Sequence, residues 1–161
     1  MIRVGSGFDV HRFAAPENGR PLVLMGIHVP FGRGLAGHSD ADVMLHALMD
    51  ALLGAAGLGD IGQHFPDSDA AFKDSDSSRL LERVMDELRS RGWRVENADV
   101  CLIGEQPRIG PHRQAMRERI APLLGIEAEA LNVKATTTEH LGFTGRGEGL
   151  AAQAVVLIER V

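Results

Sequence analysis

At 161 residues, with 44% hydrophobic and 24% charged content, the chain is long enough for one full core and too apolar for a disordered segment. Its formal charge of −5 gives no overall basic field for nucleic acid, although local cations and backbone N–H groups can still hold a small anion. A single cysteine, Cys101, excludes an intrachain disulfide framework, and no apolar run is long enough to span a bilayer, so a reducing, cytoplasmic address is expected.

Ile2 to Phe13 predicts a first strand, followed by a turn over Ala14 to Arg20 that contains Pro16 and Asn18-Gly19. Leu22 to Met25 and Ile27 to Pro30 pattern as a hairpin. Gly37 to Gly54 opens as a polar loop and becomes a helix. Ser39 or Asp40 is its expected cap, and Val43, Met44, Ala47, Leu48, Ala51, Leu52 and Ala55 form its apolar stripe. Gly57 to Asp69 is expected to be a long loop. A second helix is predicted from Ser75 or Asp76 to Arg91, with Leu80, Leu81, Val84 and Leu88 on one face and Gly92 as its stop.

Trp93 to Ile103 patterns as a strand, with Cys101 expected as an inert core thiol. Pro107 to Pro111 bounds a loop, and a third helix is predicted from near Pro111, with Met116, Ile120, Leu123 and Leu124 at helical spacing. Pro122 should kink it or end its regular part. Leu131 to Ala135 predicts a short strand, Thr136 to Gly149 a polar, Gly-rich loop, and Leu150 to Glu159 a final strand. The glycine clusters at Gly5/Gly7, Gly32/Gly34/Gly37, Gly57/Gly59/Gly62 and Gly142/Gly145/Gly147/Gly149 suggest binding loops. The expected class is α/β (α+β): a single domain over residues 1–161 with a mixed sheet covered by helices on one side. Trp93 and six phenylalanines are little aromatic bulk for two faces, so the second face is expected to need a partner, which oligomerisation would supply.

Asp9 and His11 are two apart on the first strand, so their side chains share a face. His46 lies on the first helix, between Asp42 and Asp50 on a ridge of spacing four. One carboxylate and two imidazoles with an open fourth position make the ligand pattern of a catalytic zinc site. By spacing alone the three also read as ordinary surface residues. Asp42 and Asp50 read equally as carboxylates that orient His46 or as solvated helix charges.

Four stretches together resemble the 2-C-methyl-D-erythritol 2,4-cyclodiphosphate synthase family. They are Gly7-Phe8-Asp9-Val10-His11; His38-Ser39-Asp40-Ala41-Asp42-Val43 with Leu45-His46-Ala47; Gly59-Asp60-Ile61-Gly62 with Phe65-Pro66-Asp67; and Asn132 to Glu139 with Leu141 to Gly149. They occur in order and nearly end to end. The resemblance implies a zinc- and Mg²⁺- or Mn²⁺-dependent phosphorus–oxygen lyase of the non-mevalonate isoprenoid route. Its substrate, 4-diphosphocytidyl-2-C-methyl-D-erythritol 2-phosphate, turns its own 2-phosphate onto the β-phosphate of its CDP group and releases CMP. It also implies a homotrimer, with each active site shared between neighbouring subunits.

Residue by residue, the resemblance implies zinc ligands at Asp9, His11 and His46, and a ligand of the second divalent ion at Glu139. His38 and Thr137 are implied as the catalytic pair, with Ser39 on the phosphates beside them. Asp9, Val10 and His11 are implied to bind substrate, and Asp60, Ile61 and Gly62 with Phe65, Pro66, Asp67, Ser68 and Asp69 to hold its methylerythritol phosphate end. Gly104, Glu105, Gln106, Pro107, Arg108, Ile109 and Gly110 are implied to hold cytidine, and Thr136, Thr137 and Thr138 to approach the diphosphate. Pro107-Arg108 departs from the family's frequent Pro-Lys. Arg108 keeps the charge with a different hydrogen-bonding shape. Phe143 and Arg146 match positions near the threefold axis where some members hold an isoprenoid diphosphate. An ion-paired loop arginine is the plainer reading of Arg146, and a solvated strand lysine that of Lys134. His28, His64, His112 and His140 match no metal position. Two rival functions share these features. One is a zinc-dependent nucleotide-diphosphate hydrolase, the other a non-catalytic trimer that binds isoprenoid diphosphate.

Overall fold

A computed structural model describes residues 1–161. A four-stranded sheet carries the molecule, in the order β1-β6-β4-β5. Its strands are β1 (Ile2–Arg12), β4 (Trp93–Ile103), β5 (Leu131–Thr136) and β6 (Gly149–Arg160). The β1–β6 and β4–β6 pairs are antiparallel and β4–β5 is parallel, so the sheet is mixed. A separate hairpin, β2 (Leu22–Leu24) with β3 (Ile27–Val29), stands beside it. The longer helices α1 (Val43–Ala56), α3 (Ser77–Ser90) and α4 (Arg113–Leu124) supply the rest of one continuous core. No helix is long and apolar enough to cross a membrane.

Helix α1 is the centre of that core. Every residue in it except Asp50 and Gly54 is buried, so Asp42 and His46 of the polar ridge are enclosed by protein while Asp50 is partly exposed. It lies directly on β1, and the reason is local. Gly5 and Gly7 face α1 without side chains, and a Cβ on either would overlap the Ala51 or Ala47 carbonyl oxygen. These two glycines therefore belong to a strand, not to a binding loop. Their close approach to α1 brings His46 onto the face that carries Asp9 and His11.

The cap of α1 is Asp42, whose carboxylate accepts the N–H of Leu45 at 3.1 Å. Ser39 and Asp40, the expected caps, lie too early because the helix begins only at Val43. Asp40 instead accepts the N–H of Ser77, the first residue of α3, at 2.9 Å. Asp42 also takes the N–H groups of Met25 and Gly26 at 3.0 and 2.8 Å, which ties the β2–β3 turn to α1. Burial and the nearby Asp40 charge push the Asp42 pKa up, to about 7, while the three N–H groups pull it down.

Two expected loops contain short helices. The stretch 57–69 holds α2 (Ile61–His64), capped by Asp60, which accepts the N–H of Gln63 at 3.0 Å. The stretch 136–149 holds α5 (Gly142–Gly145). Single turns carry too little periodicity to be read from sequence. A 3₁₀ turn over Gly110–His112 precedes α4, which starts at Arg113 rather than near Pro111. Pro122 sits in the last turn of α4, and the helix ends at Leu124 with left-handed Gly125 as its cap.

Helices cover only one face of the sheet. On the other face lie Ile2, Val4, Phe8 and Val10 from β1 and Val155 from β6, with Val4 65% and Phe8 57% exposed. This face is apolar at the β1 edge and polar toward β5, where Lys134 pairs with Asp99 at 2.7 Å. Lys134 is therefore an ion-paired residue. Cys101 lies on the same open face and is only partly buried, not in the core as expected, because its strand alternates and Val100 and Leu102 take the inward positions.

Candidate active site

Asp9 and His11 project from β1 toward α1, and His46 projects from α1 to meet them. Asp9 Oδ2 lies 2.9 Å from His11 Nε2 and 3.1 Å from His46 Nδ1. His11 Nε2 and His46 Nδ1 are 3.1 Å apart. The three side chains form a candidate metal cluster.

The outer contacts of each imidazole fix which nitrogen faces the cluster. His11 Nδ1 lies 2.9 Å from the Ala36 carbonyl oxygen, which can only accept, so this nitrogen carries the proton. Ala36 reaches that position because Phe13 bridges Leu35 and the Ala36 N–H donates to the Arg12 carbonyl. His46 Nε2 lies 3.0 Å from Ser77 Oγ and 3.2 Å from Ser39 Oγ. Ser77 spends its own hydroxyl proton on Asp40, so it accepts from His46 Nε2–H. Both inner nitrogens are then lone-pair donors aimed at a carboxylate. Such convergence repels unless a cation or proton sits among the three.

With a proton in that place, the charges of the three groups support one another. Burial works to raise the Asp9 pKa, but hydrogen bonds and charge from His11 and His46 outweigh it and hold the carboxyl well below the usual carboxylate range. Burial works to lower the His11 pKa, but the hydrogen bond and charge of Asp9 win and the net shift is upward. The donor set of one carboxylate oxygen and two imidazole nitrogens suits a borderline divalent cation. Tetrahedral zinc ligands about 2.0–2.2 Å from the ion stand about 3.3–3.6 Å apart, so this triangle seats zinc after opening by a few tenths of an ångström.

The cluster forms the floor of a cleft of about 620 Å³. His38 and Ser39 line it, as do Ile61, Gly62, Phe65, Pro66 and Asp67. Met49, Phe72 and Leu80 complete an apolar wall that sequence reasoning did not assign to the site. Phe72 and Met49 fall outside the periodic apolar positions of the sequence, while Leu80 reads only as helix core. His38 Nε2 donates to the Asp69 carbonyl at 3.3 Å, and the His38 carbonyl accepts the Asp74 N–H at 2.8 Å, so the two loops brace each other. Asp60, Ser68 and Asp69 stand outside the lining. Asp60 and Asp69 are occupied as caps, Asp69 accepting the Ala71 N–H at 2.9 Å. Val10 faces the open side of the sheet, since the strand alternates.

Neither Asp42 nor Asp50 orients His46. Asp42 is occupied with Met25, Gly26 and Leu45, and Asp50 accepts the Ile61 N–H at 2.8 Å, anchoring α2. The carboxylate behind His46, on the side away from Asp9, is Asp40, which acts through Ser77.

The other expected site residues gather elsewhere. Thr136 ends β5 and Thr137, Thr138 and Glu139 follow it, while Gly104 to Gly110 follow β4 beside it. β5 and β1 are opposite edges of the sheet, three strand spacings or about 14 Å apart. The Gly104 N–H donates to the Thr136 carbonyl at 3.0 Å, and Glu105 holds the Thr138 N–H at 3.2 Å, so these two stretches form one unit. Ile109 is buried. Thr138 Oγ1 donates to the Leu141 carbonyl at 2.6 Å and meets Thr144 Oγ1 at 2.9 Å, so its hydroxyl is committed to the fold. Thr137 Oγ1 accepts the Glu139 N–H at 3.1 Å and keeps its proton free.

A second cleft of about 250 Å³ contains Glu105, Gln106, His140 and Arg146. Arg146 Nε donates to Glu148 at 2.8 Å, the ion-paired reading. Phe143 is 40% exposed nearby in α5.

The YgbB family model matches residues 2–159 of the chain. A 2-C-methyl-D-erythritol 2,4-cyclodiphosphate synthase of Alkalilimnicola ehrlichii is 59% identical over 160 residues, covering 99% of this chain and 96% of that protein. Among solved structures, the bifunctional IspDF from Campylobacter jejuni matches with a TM-score of 0.94 at 45% identity. That match takes in 100% of this chain and 43% of the larger protein. Plasmodium falciparum IspF, solved as a CDP complex, matches with a TM-score of 0.85 at 28% identity, over 99% of this chain and 96% of that one.

Proposed function

The chain belongs to the YgbB family, and from that premise we propose how its residues carry out the cyclisation for which its relatives are named. The activity is conversion of 4-diphosphocytidyl-2-C-methyl-D-erythritol 2-phosphate to 2-C-methyl-D-erythritol 2,4-cyclodiphosphate and CMP, a phosphorus–oxygen lyase reaction. The observation that carries our residue assignment is the convergence of Asp9, His11 and His46 at the floor of a cleft walled by His38, Ser39 and apolar side chains.

In this reading Asp9, His11 and His46 hold zinc, and Glu139 shares a second divalent cation, Mg²⁺ or Mn²⁺, with the diphosphate. Bound there, the two ions supply Lewis-acid neutralisation of phosphate charge. An oxygen of the substrate's 2-phosphate attacks the β-phosphorus, the bond from that phosphorus to the bridging CMP oxygen breaks, and CMP leaves with that oxygen. No water is consumed and no protein nucleophile is needed, so the chain's task is positioning and charge stabilisation. His38, on exchanging its Asp69 carbonyl partner for substrate, donates toward the phosphates from the cleft side together with Ser39, and Thr137 offers its free hydroxyl proton. Ile61, Gly62, Phe65, Pro66 and Asp67 receive the methylerythritol end. Met49, Phe72 and Leu80 keep out the water that would turn cyclisation into hydrolysis. Gly104 to Gly110 receive the cytidine.

The reading includes a cytoplasmic homotrimer with each active site between neighbours. Two features support the assembly. The zinc half and the Thr137 half lie on opposite edges of one sheet, so a single copy does not bring them together. The sheet also leaves Ile2, Val4, Phe8 and Val10 exposed, a face suited to burial against further copies.

The test is phosphorus NMR of the metal-loaded protein with its substrate. CMP and a cyclic diphosphate should appear together in equal amounts. CMP with an open phosphate would favour a hydrolase, and no turnover would favour a binding protein.

A further inference from the structure

The turn that carries Thr137 and Glu139 has an unusual backbone. Glu139 and His140 both sit in the left-handed region, at φ 53° and 62°, although neither is glycine. Side chains with a Cβ rarely adopt it, and two in succession persist only when the surroundings hold them.

The holder is Glu105. Its Oε2 accepts the Thr138 N–H at 3.2 Å, and its Oε1 accepts the His140 N–H at 3.1 Å. Oε1 also lies 3.1 Å from His140 Nδ1. The intervening Glu139 N–H is taken by Thr137 Oγ1, and the Leu141 N–H by the Thr138 carbonyl at 3.0 Å. Each N–H from Thr138 to Leu141 is thus satisfied from within the fold, and two of the four go to one carboxylate. Successive N–H groups in such a turn make a concave anion site. Here the protein's own anion occupies it, and the Glu105 side chain is only 15% exposed. The turn is closed from the other side by Gly145, where a Cβ would overlap the His140 backbone.

We propose that Glu105 is a positioning residue, which locks the Thr138–His140 turn so that the Thr137 hydroxyl and the Glu139 carboxylate are aimed before substrate arrives. The proposal rests on the reading that Thr137 and Glu139 act on the diphosphate. It moves Glu105 from the cytidine contact that the resemblance implies for it to a role exerted through the turn. A donor fixed before reaction stabilises developing charge without reorganising, and a misplacement of about 1 Å can cost 10²-fold in rate.

The experiment compares Glu105→Ala, Glu105→Gln, Thr137→Ala and Glu139→Ala in the full-length, metal-loaded protein. It measures kcat and KM, the Mg²⁺ concentration for half-maximal rate, and CMP affinity by calorimetry. Glu105→Ala should lower kcat by about 10- to 100-fold and raise the Mg²⁺ requirement about tenfold, with CMP affinity within twofold of the parent. Glu105→Gln keeps one acceptor oxygen and the side-chain shape and should fall between. It also carries the test alone if the alanine variant does not fold. Weakened CMP binding with an unchanged Mg²⁺ requirement would overturn the proposal and make Glu105 a nucleotide ligand. An unchanged kcat in both Glu105 variants, while Thr137→Ala and Glu139→Ala are impaired, would overturn it and leave the underlying reading standing. Unimpaired Thr137→Ala and Glu139→Ala would overturn that reading and the proposal with it.

Discussion

Ser77 Oγ lies 3.0 Å from His46 Nε2, at the end of a short chain of hydrogen bonds that begins at the Asp40 carboxylate. Asp40 accepts the serine proton, so the serine oxygen accepts from the imidazole, and the other imidazole nitrogen presents its lone pair to Asp9 and His11. Partners of this kind fix the tautomer of a metal-ligating histidine, and losing one commonly costs 10- to 100-fold in metal affinity. Ser39 Oγ remains 3.2 Å from the same nitrogen. Ser77→Ala should therefore weaken zinc binding by about tenfold, the lower end of that range, as read by competition with a chromogenic chelator. An unchanged affinity would mean that Ser39 alone orients the ring.

The candidate metal cluster was legible in the sequence, but the chain of groups behind it was not. Asp9 and His11 share a face through strand alternation, and His46 stands on a strongly apolar helix; both signals are local. Asp40 and Ser77 are 37 residues apart and meet only because the loop before α1 packs on the start of α3. No periodicity carries that information. The polar ridge of α1 misled for a related reason. Spacing places Asp42, His46 and Asp50 along one line, but burial decides their partners, and Asp42 faces the β2–β3 turn while Asp50 faces α2. Gly5 and Gly7 resembled a glycine-rich loop because pattern alone does not separate positive φ from close packing. In the fold both are strand residues pressed under α1. The strand and long-helix framework was readable, since β4 alternates, α3 has a clear amphipathic period and α1 is apolar almost throughout. The one-turn helices at Ile61–His64 and Gly142–Gly145 were too short to have one.

Arg83 adds a contact to the cleft wall from behind. Its guanidinium lies 5.5 Å from the Phe65 ring centroid and 5.4 Å from that of Phe72, and the two rings meet edge to face at 5.3 Å. Both rings line the cleft and Arg83 does not. Exposed cation–π contacts contribute about 0.5–1 kcal/mol each, so the pair is worth about 1–2 kcal/mol of wall order. Arg83→Ala should raise KM by about 5- to 30-fold with kcat within about twofold, since the lost interaction is the same in ground and transition states. Arg83→Lys should recover part of the loss. Steady-state kinetics on the three proteins decide it, and a fall in kcat at constant KM would exclude a wall-ordering role.

Metal removal should show itself in stability as well as in rate. The cluster sets three lone-pair donors within about 3.1 Å of one another, an arrangement that a cation relieves. A ligand that binds only the folded state adds about 2.7 kcal/mol of stability at 100 times its Kd. Zinc should therefore raise the Tm of the chelator-stripped protein, and activity should return in step with the shift. His46→Ala removes one donor and the partner of both Asp9 and His11, so this variant should gain neither Tm nor activity on zinc addition. Calorimetric scans of both proteins, with and without zinc, separate the outcomes. A zinc-dependent rise in Tm that survives in His46→Ala would place the ion away from this cluster, because Asp9 and His11 alone provide too few donors to hold it tightly.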